Sequence, residues 1–176
     1  MNKLKNNIVF LDLDGVLNTP QYAVQAFSMW KRTDGWFKSR DKYGQVFDPL
    51  ACACLEYLVH STGAKVVISS TWRMSGLEVM QQMFKDREIA VDVIGITPTE
   101  VDVVERGTLE YYDLVDRGHE IQQWVNDNEV SNYVILDDHN DFTPEQLEFH
   151  YVDCSGKEGF NYNAMAKALK ILLTRK

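Results

Sequence analysis

Two aspartates, Asp12 and Asp14, stand at the end of an unbroken apolar run that begins at Ile8. Such a run is typical of a strand covered on both faces, whereas carboxylates are among the side chains least often buried. One carboxylate can attack phosphorus, and a second can protonate the leaving oxygen and later deprotonate a water. The Asp-x-Asp spacing allows both roles, and Gly15 permits a turn that redirects the second side chain.

Polar side chains also follow two other predicted strands. Ser69 and Ser70 come after one apolar run, and Asp137 and Asp138 end another. In open α/β sheets, ligands bind outside the carboxyl ends of the strands. We therefore expect these strand ends to converge with Asp12 on one site.

Three carboxylates at one edge need compensation, because Asp12, Asp14 and Asp138 would repel one another strongly. A hard divalent cation with oxygen ligands provides it, and Mg²⁺ fits best because it binds carboxylates together with phosphate oxygens. Arg117 could supply a guanidinium, and a strand-end serine could supply a hydroxyl donor. This combination predicts a pocket for phosphoryl transfer.

The elements that must position these residues follow an alternating pattern. Strands are predicted at 8–13, 65–70, 91–96, 133–137 and 150–153. Helices are predicted to begin at Asp48-Pro49, near Ser75, near His119, at Thr143-Pro144 and near Asn163. Strands that alternate with helices indicate an α/β, Rossmann-like domain of three layers with a parallel sheet, here a single domain over residues 1–176.

Two long connections interrupt this pattern. Residues 18–47 form an insert after the first strand, which we interpret as a small cap or flap over the site. Residues 97–116 form the second connection, and its acidic part, 100–116, is interpreted as a surface loop beside the crevice. Long connections of this kind inside a compact domain are usually functional.

Composition limits the class of protein. The chain has 176 residues, 45% of them apolar and 25% charged, with a net charge of −8. This charge argues against non-specific binding to duplex DNA. Three cysteines do not suggest a disulfide framework. No apolar run reaches the ~20 residues that span a bilayer, so a reducing cytoplasm is the expected setting.

The charge is uneven along the chain. Between Lys31 and Lys42 there are five basic and two acidic residues, a local charge of +3, and aromatic residues are interleaved with them. This segment is either a solvated loop pinned by its aromatic side chains or a surface that receives an anionic, nucleotide-like substrate.

Four ordered motifs now resemble those of the haloacid dehalogenase-like (HAD) phosphatase superfamily. They are Leu11-Asp-Leu-Asp-Gly-Val16, Val66-Val-Ile-Ser-Ser70, Arg117, and Val134-Ile-Leu-Asp-Asp138. The resemblance implies a sheet of order 5-4-1-2-3, with the five predicted strands numbered along the chain. It also implies an Mg²⁺-dependent phosphomonoester hydrolase that acts through an aspartyl-phosphate.

The resemblance also implies roles for individual residues. Asp12 would be the nucleophile and Asp14 the general acid and base. Mg²⁺ would be held by the Asp12 side chain, the Asp14 backbone carbonyl and Asp138, with Asp137 supporting them. Ser69 would bind the phosphoryl group. Arg117 would stand where the family usually has lysine. Gly15 and Ser70 would line the substrate site.

A narrower resemblance concerns the substrate. The run Ser69-Ser-Thr-Trp-Arg73 and the segment after Arg117 look like the small HAD domains of some RNA-repair proteins. This would fit a nucleotide or the phosphorylated end of a nucleic acid, with Arg73 near the substrate; a phosphorylated small molecule is the other partner considered. The alternatives are a phosphotransferase or phosphomutase of the same fold, or a non-catalytic domain that binds phosphorylated ligands.

Overall fold

Five short strands pair in parallel at the centre of the protein. The computed structural model describes residues 7–32, 39–99 and 117–174. In chain order, its elements are β1 (Ile8–Leu11), α1 (Pro20–Arg32), β2 (Arg40–Asp41), β3 (Gly44–Gln45), α2 (Pro49–Thr62), β4 (Lys65–Ile68), a 3-10 helix (Thr71–Ser75), α3 (Leu77–Asp86), β5 (Val93–Ile96), α4 (Arg117–Asp127), β6 (Tyr133–Asp137), α5 (Pro144–Phe149), β7 (Tyr151–Asp153) and α6 (Tyr162–Thr174).

The order of strands across the large sheet is β5-β4-β1-β6-β7, and β2 and β3 form a separate antiparallel hairpin. These labels differ from the predicted 5-4-1-2-3 because the hairpin strands are counted among them. The same five strands, counted alone and read from the opposite edge, give 5-4-1-2-3. The central strand β1 thus lies between β4 and β6.

Helices cover both faces of the sheet. Successive side chains of β1 point to opposite faces, so they pack against different helices. Val9 and Leu11 belong to a core cluster that includes residues of α2, α3 and α6. Ile8 and Phe10 belong to a second cluster with Ile121 of α4. All four side chains of β1 are fully buried, as its unbroken apolar run predicts.

Local signals confirm where two helices begin. The Asp48 carboxylate accepts a hydrogen bond from Leu50 N at the start of α2, and Gly63 ends that helix in the left-handed region with φ 63°. Thr143 and Gln146 form a complete capping box at α5.

The strands are shorter than predicted where they approach the site. β1 ends at Leu11 and β4 at Ile68, so the polar residues that follow lie in loops rather than in the strands. The chain turns immediately after β1, where the amides of Leu17 and Asn18 both donate to Leu13 O. Elsewhere, β5 and β7 begin at Val93 and Tyr151, and α4 begins at Arg117, two residues earlier than predicted.

The insert at 18–47 contains regular structure that the sequence reasoning did not predict. It forms helix α1 and the β2–β3 hairpin. A start signal for α1 was present, since Thr19 precedes Pro20 and its hydroxyl accepts from Tyr22 N. The expected loop at 100–116 lies outside the described residues.

The described part of the chain also bears on membrane-spanning helices and on disulfide bonds. There, no helix combines the length and the apolar character needed to cross a membrane. The three cysteines are free, and Cys54 and Cys154 are buried.

Candidate active site

The ends of β4, β1 and β6 bring Ser69, Asp12 and Asp137 to the same level of the sheet. Leu11 is in register with Ile68 on one side and with Leu136 on the other. Ser69 N donates to Leu11 O, and Asp12 N donates to Leu136 O, both at 3.0 Å. The convergence expected from the strand ends is therefore present.

Asp12 is buried, with 4% of its surface exposed. Its Oδ1 lies 3.2 Å from a guanidinium nitrogen of Arg117, and the nearby Ser70 side chain helps to lower the pKa of this carboxyl. Burial and the nearby Asp137 raise the pKa of Asp12 to about 7, against the lowering effect of Arg117. This carboxylate therefore lies in a site that favours an added positive charge.

Asp137 is fully buried beneath the same site. Its Oδ2 accepts from Arg117 at 2.5 Å and its Oδ1 accepts from His139 N at 2.9 Å. Burial raises the pKa of Asp137 even so. Arg117 thus bridges Asp12 and Asp137. Its guanidinium lies at the strand ends, where the sequence predicted it.

Asp138 adds a more accessible carboxylate next to the first two. Its Oδ1 lies 2.8 Å from His139 Nδ1. Oxygen or nitrogen atoms of Asp137, Asp138 and His139 lie within 4.8 Å of one another, close enough to share one metal ion. Of the predicted ligands, Asp137 and Asp138 are therefore brought together, with His139 beside them, and Asp12 is not a member of this group.

Gly15 makes room for this arrangement. A Cβ atom added at Gly15 would lie 2.2 Å from Asp138 Oδ2, and the residue has φ 73°. Both facts require glycine, because other residues rarely adopt this backbone conformation. Gly15 therefore permits the close approach of the β1 loop and the β6 loop.

Asp14, unlike Asp12, is exposed at the edge of the site. Its Oδ2 accepts from the indole nitrogen of Trp72 at 2.9 Å, and its Oδ1 accepts from Asn18 Nδ2 at 2.6 Å. Asn18 Oδ1 in turn accepts from Gly15 N. Asn18 was absent from the predicted site, although its position four residues after Asp14 in a tight turn could have suggested it.

Ser69 is fully buried, and its hydroxyl has no hydrogen-bond partner within the described residues. A buried polar atom without a partner costs free energy, and in a native protein it requires an explanation such as a catalytic role or a bound water or ion. This hydroxyl lies at the end of β4, beside the strand that leads to Asp12. It is a donor of the kind expected to bind a phosphoryl group.

Arg73 differs from its predicted role. Its guanidinium is buried, donates to Ser69 O at 2.7 Å, and forms a two-pronged ion pair with Glu120 at 2.7 and 2.8 Å. These contacts hold the Ser69 loop against α4 and leave Arg73 facing inward, rather than toward a substrate. Glu120 was missed because nothing local in the sequence indicates its partner, 47 residues away.

Tight packing also fixes Arg117 at the first position of α4. A Cβ atom at Gly118 would meet the backbone of Phe142 and Thr143 at 2.8 Å. Gln146 donates to Gly118 O at 2.9 Å. The start of α4 is thereby held against the start of α5, and Arg117 is directed toward Asp12 and Asp137.

Together, the parallel sheet, the two aspartates after its central strand and the acidic pair after the neighbouring strand define a HAD-like α/β domain. The family model described as "HAD domain in Swiss Army Knife RNA repair proteins" matches residues 8–165. The chain therefore belongs to that family, as its motifs predicted, and membership favours phosphohydrolase chemistry. No match to the chain was found among curated proteins or among solved structures.

Proposed function

We propose that this protein is an Mg²⁺-dependent phosphomonoester hydrolase that acts on the phosphorylated end of a nucleic acid. The observation that carries the proposal is the position of Asp12, a buried carboxylate held by Arg117 at the end of the strand next to that of Ser69, whose hydroxyl has no hydrogen-bond partner among the described residues. The family match supports the same chemistry and the nucleic-acid substrate.

The residues present fit Mg²⁺. Asp12, Asp137 and Asp138 supply the hard oxygen ligands that this ion prefers, and burial together with the neighbouring Asp137 raises the pKa of Asp12, so that a bound cation would favour its charged form. Asp12 and Asp138, with the backbone carbonyl of Asp14, would hold the ion, and Asp137 would support them. Bound there, Mg²⁺ would neutralise charge on the phosphoryl oxygens.

The chain's own groups account for the two half-reactions. Asp12 attacks phosphorus and the bond to the leaving oxygen breaks, while Asp14 gives that oxygen a proton. Asp14 then takes a proton from a water, whose oxygen attacks phosphorus and breaks the bond to Asp12. Inorganic phosphate leaves, and both carboxyl groups return to their starting states. Arg117 and the Ser69 hydroxyl bind the transferring group.

The test is phosphate release from a panel of substrates with and without Mg²⁺. The panel contains mononucleotides, oligonucleotides with a 3′- or a 5′-phosphate, and a small phosphomonoester. We expect Mg²⁺-dependent release, greatest on oligonucleotide ends, and a loss of at least about a thousandfold in Asp12→Asn. The control Asp92→Asn, at an exposed carboxylate outside the site, should retain full activity.

Two results would overturn the proposal: no release from any member of the panel, or full Mg²⁺-dependent turnover by Asp12→Asn. Adding alcohol acceptors to the assay separates hydrolysis from transfer. A phosphotransferase would pass the phosphoryl group to the acceptor in preference to water.

A further inference from the structure

Helix α1 presents an exposed aromatic face. Only Ala26 is fully buried along its 13 residues. Phe27 and Trp30 are 58% and 45% exposed, and their rings stack with centroids 5.9 Å apart and planes inclined by 29°. Exposed aromatic rings of this kind are the usual platforms on which unpaired bases stack.

A groove runs beside this pair, between α1 and the β2–β3 hairpin. It encloses about 210 Å³ and is lined by residues that include Tyr22, Phe27, Arg40 and Gln45. Aromatic, guanidinium and amide groups together match the flat face and polar edge of a nucleobase. The groove is therefore chemically suited to an unstacked base.

The same surface carries the chain's local positive charge. Lys31 and Arg32 end α1, Arg40 begins the hairpin, and all three are exposed. The whole chain has a net charge of −8, so a polyanion is repelled from most of the molecule. An anionic strand is expected to favour this insert, where Arg40 lines the same groove as the Phe27 ring.

This surface begins at the candidate active site. Asn18, which binds Asp14, stands two residues before Pro20, and Thr19 caps the helix. At 1.5 Å per residue, Phe27 and Trp30 lie about 10 and about 15 Å along the axis from the start of α1. This span corresponds to roughly three to five stacked nucleotides at ~3.4 Å each.

We infer that α1 and the β2–β3 hairpin bind the unpaired nucleotides that lead to the phosphorylated end. The inference rests on the proposed function and makes it more specific: the substrate is a single-stranded polynucleotide, and a mononucleotide lacks most of the binding contacts. Phe27 and Trp30 stack on bases, while Lys31, Arg32 and Arg40 contact phosphates.

The test measures binding separately from chemistry. Unphosphorylated, fluorescently labelled oligonucleotides of two to ten nucleotides, in ribose and deoxyribose forms, are titrated with the wild-type protein by fluorescence anisotropy at two salt concentrations. We expect affinity to rise with length up to about five nucleotides and to fall with salt. The Phe27→Ala/Trp30→Ala variant should bind at least tenfold more weakly.

Matched controls separate this surface from general effects of the substitutions. Tyr57→Ala removes an equally exposed ring from α2, where 57% of the side chain is exposed, and should leave binding unchanged. Arg40→Gln should weaken binding and reduce its salt dependence, whereas Lys170→Gln on α6 should do neither. Circular dichroism confirms that each variant is folded.

Three results would overturn the inference. The first is that the wild type binds no oligonucleotide, and the second is that the α1 variants bind as tightly as the wild type. The third is self-association of the wild type, measured by sedimentation, that only the α1 variants lose. The last result would make the surface an interface between two copies. Failure of the proposed function looks different, because oligonucleotide binding would persist without Mg²⁺-dependent phosphate release.

Discussion

At the level of single residues, Asp12 and Asp14 have very different surroundings although one residue separates them. Asp12 is buried beside Arg117, whereas Asp14 is exposed and accepts hydrogen bonds on both oxygens from Trp72 and Asn18. The buried carboxylate faces the other acidic groups, and the exposed one faces outward. This difference suits a nucleophile and a proton carrier, respectively.

Replacing Trp72 with phenylalanine tests whether the indole positions Asp14. Phenylalanine keeps an aromatic ring beside Phe47 but lacks the N–H donor. A hydrogen bond to a charged group contributes about 1.5–3 kcal/mol, so we expect a ~10- to 100-fold lower kcat with a smaller change in KM. The indole proton of Trp72 should also shift in the NMR spectrum of Asp14→Asn. Unchanged kcat in Trp72→Phe would exclude this role.

Replacing Gly15 with alanine tests the metal site without removing a ligand. The new Cβ would displace Asp138, and the left-handed backbone adds about 1–2 kcal/mol of strain. Gly63→Ala is a matched control, because it has φ 63° and open space around it. Titration calorimetry should show weaker Mg²⁺ binding in Gly15→Ala only, while both variants lose stability. Equal Mg²⁺ affinity in the two variants would contradict the assignment of Asp138.

The sequence was sufficient for the residues whose positions follow from strand ends. Asp12, Ser69 and Asp137 were predicted to converge because parallel strands place their carboxyl ends at one edge. Arg73 and Glu120 were not predicted as a pair, since no local pattern encodes a contact across 47 residues. The lack of a hydrogen-bond partner for the Ser69 hydroxyl among the described residues likewise depends on tertiary packing that no local pattern encodes.

At the level of elements, the buried ion pair between Arg73 and Glu120 joins the 3-10 helix to α4. Both side chains are less than 10% exposed, and burial raises the pKa of Glu120 despite the neighbouring guanidinium. Arg73 also binds Ser69 O. The pair therefore couples the loop that carries Ser69 to the helix that carries Arg117.

Removing the charge of one member of the Arg73–Glu120 pair should strongly lower the stability of the protein. Glu120→Gln leaves a buried guanidinium without its counter-charge, and we expect a loss of about 3–5 kcal/mol in the free energy of unfolding. The double variant Arg73→Met/Glu120→Leu removes both charges. Its loss of unfolding free energy should be smaller than the sum of the losses in Arg73→Met and in Glu120→Leu. Urea denaturation provides the measurement, with Lys65→Met, which removes one member of an exposed ion pair, as the control. Additive losses would show that the pair is not coupled.

Helix α1 could have been predicted from the sequence. Tyr22, Ala26 and Trp30 belong to an apolar stripe at helical spacing, although only Ala26 is fully buried. The hairpin is held by contacts that are distant in sequence, including the ion pair of Arg87 with Asp41 and the stacking of Arg87 over Phe47. The helix and the hairpin within residues 18–47 thus depend on capping and tertiary contacts, and the role of this segment as a cap stays a prediction.

At the level of the whole molecule, excess negative charge is concentrated where the strands end. Asp12 and Asp137 both have raised pKa values, mainly because they are buried. The fold thus holds carboxyl groups in positions that favour their protonated form when no metal is bound. Folding stability should consequently depend on pH and on divalent cations together.

The sign of this dependence follows from the pKa of Asp12, which rises from 3.8 to about 7 on folding. Between these values the folded state binds more protons than the unfolded state, so the metal-free protein should lose stability as pH rises, by up to about 1 kcal/mol per pH unit. The contribution is fully present below pH ~4 and is lost as pH rises through ~7.

Thermal unfolding of the protein in chelator should therefore give a midpoint that falls between pH 5 and pH 8 more steeply in wild type than in Asp12→Asn. Mg²⁺ binds the deprotonated carboxylates, so the stabilisation it adds should grow over the same range. Asp92→Asn serves as the control and should retain the wild-type slope, because its side chain lies outside the site. A slope in Asp12→Asn as steep as in wild type would show that Asp12 does not titrate in this window.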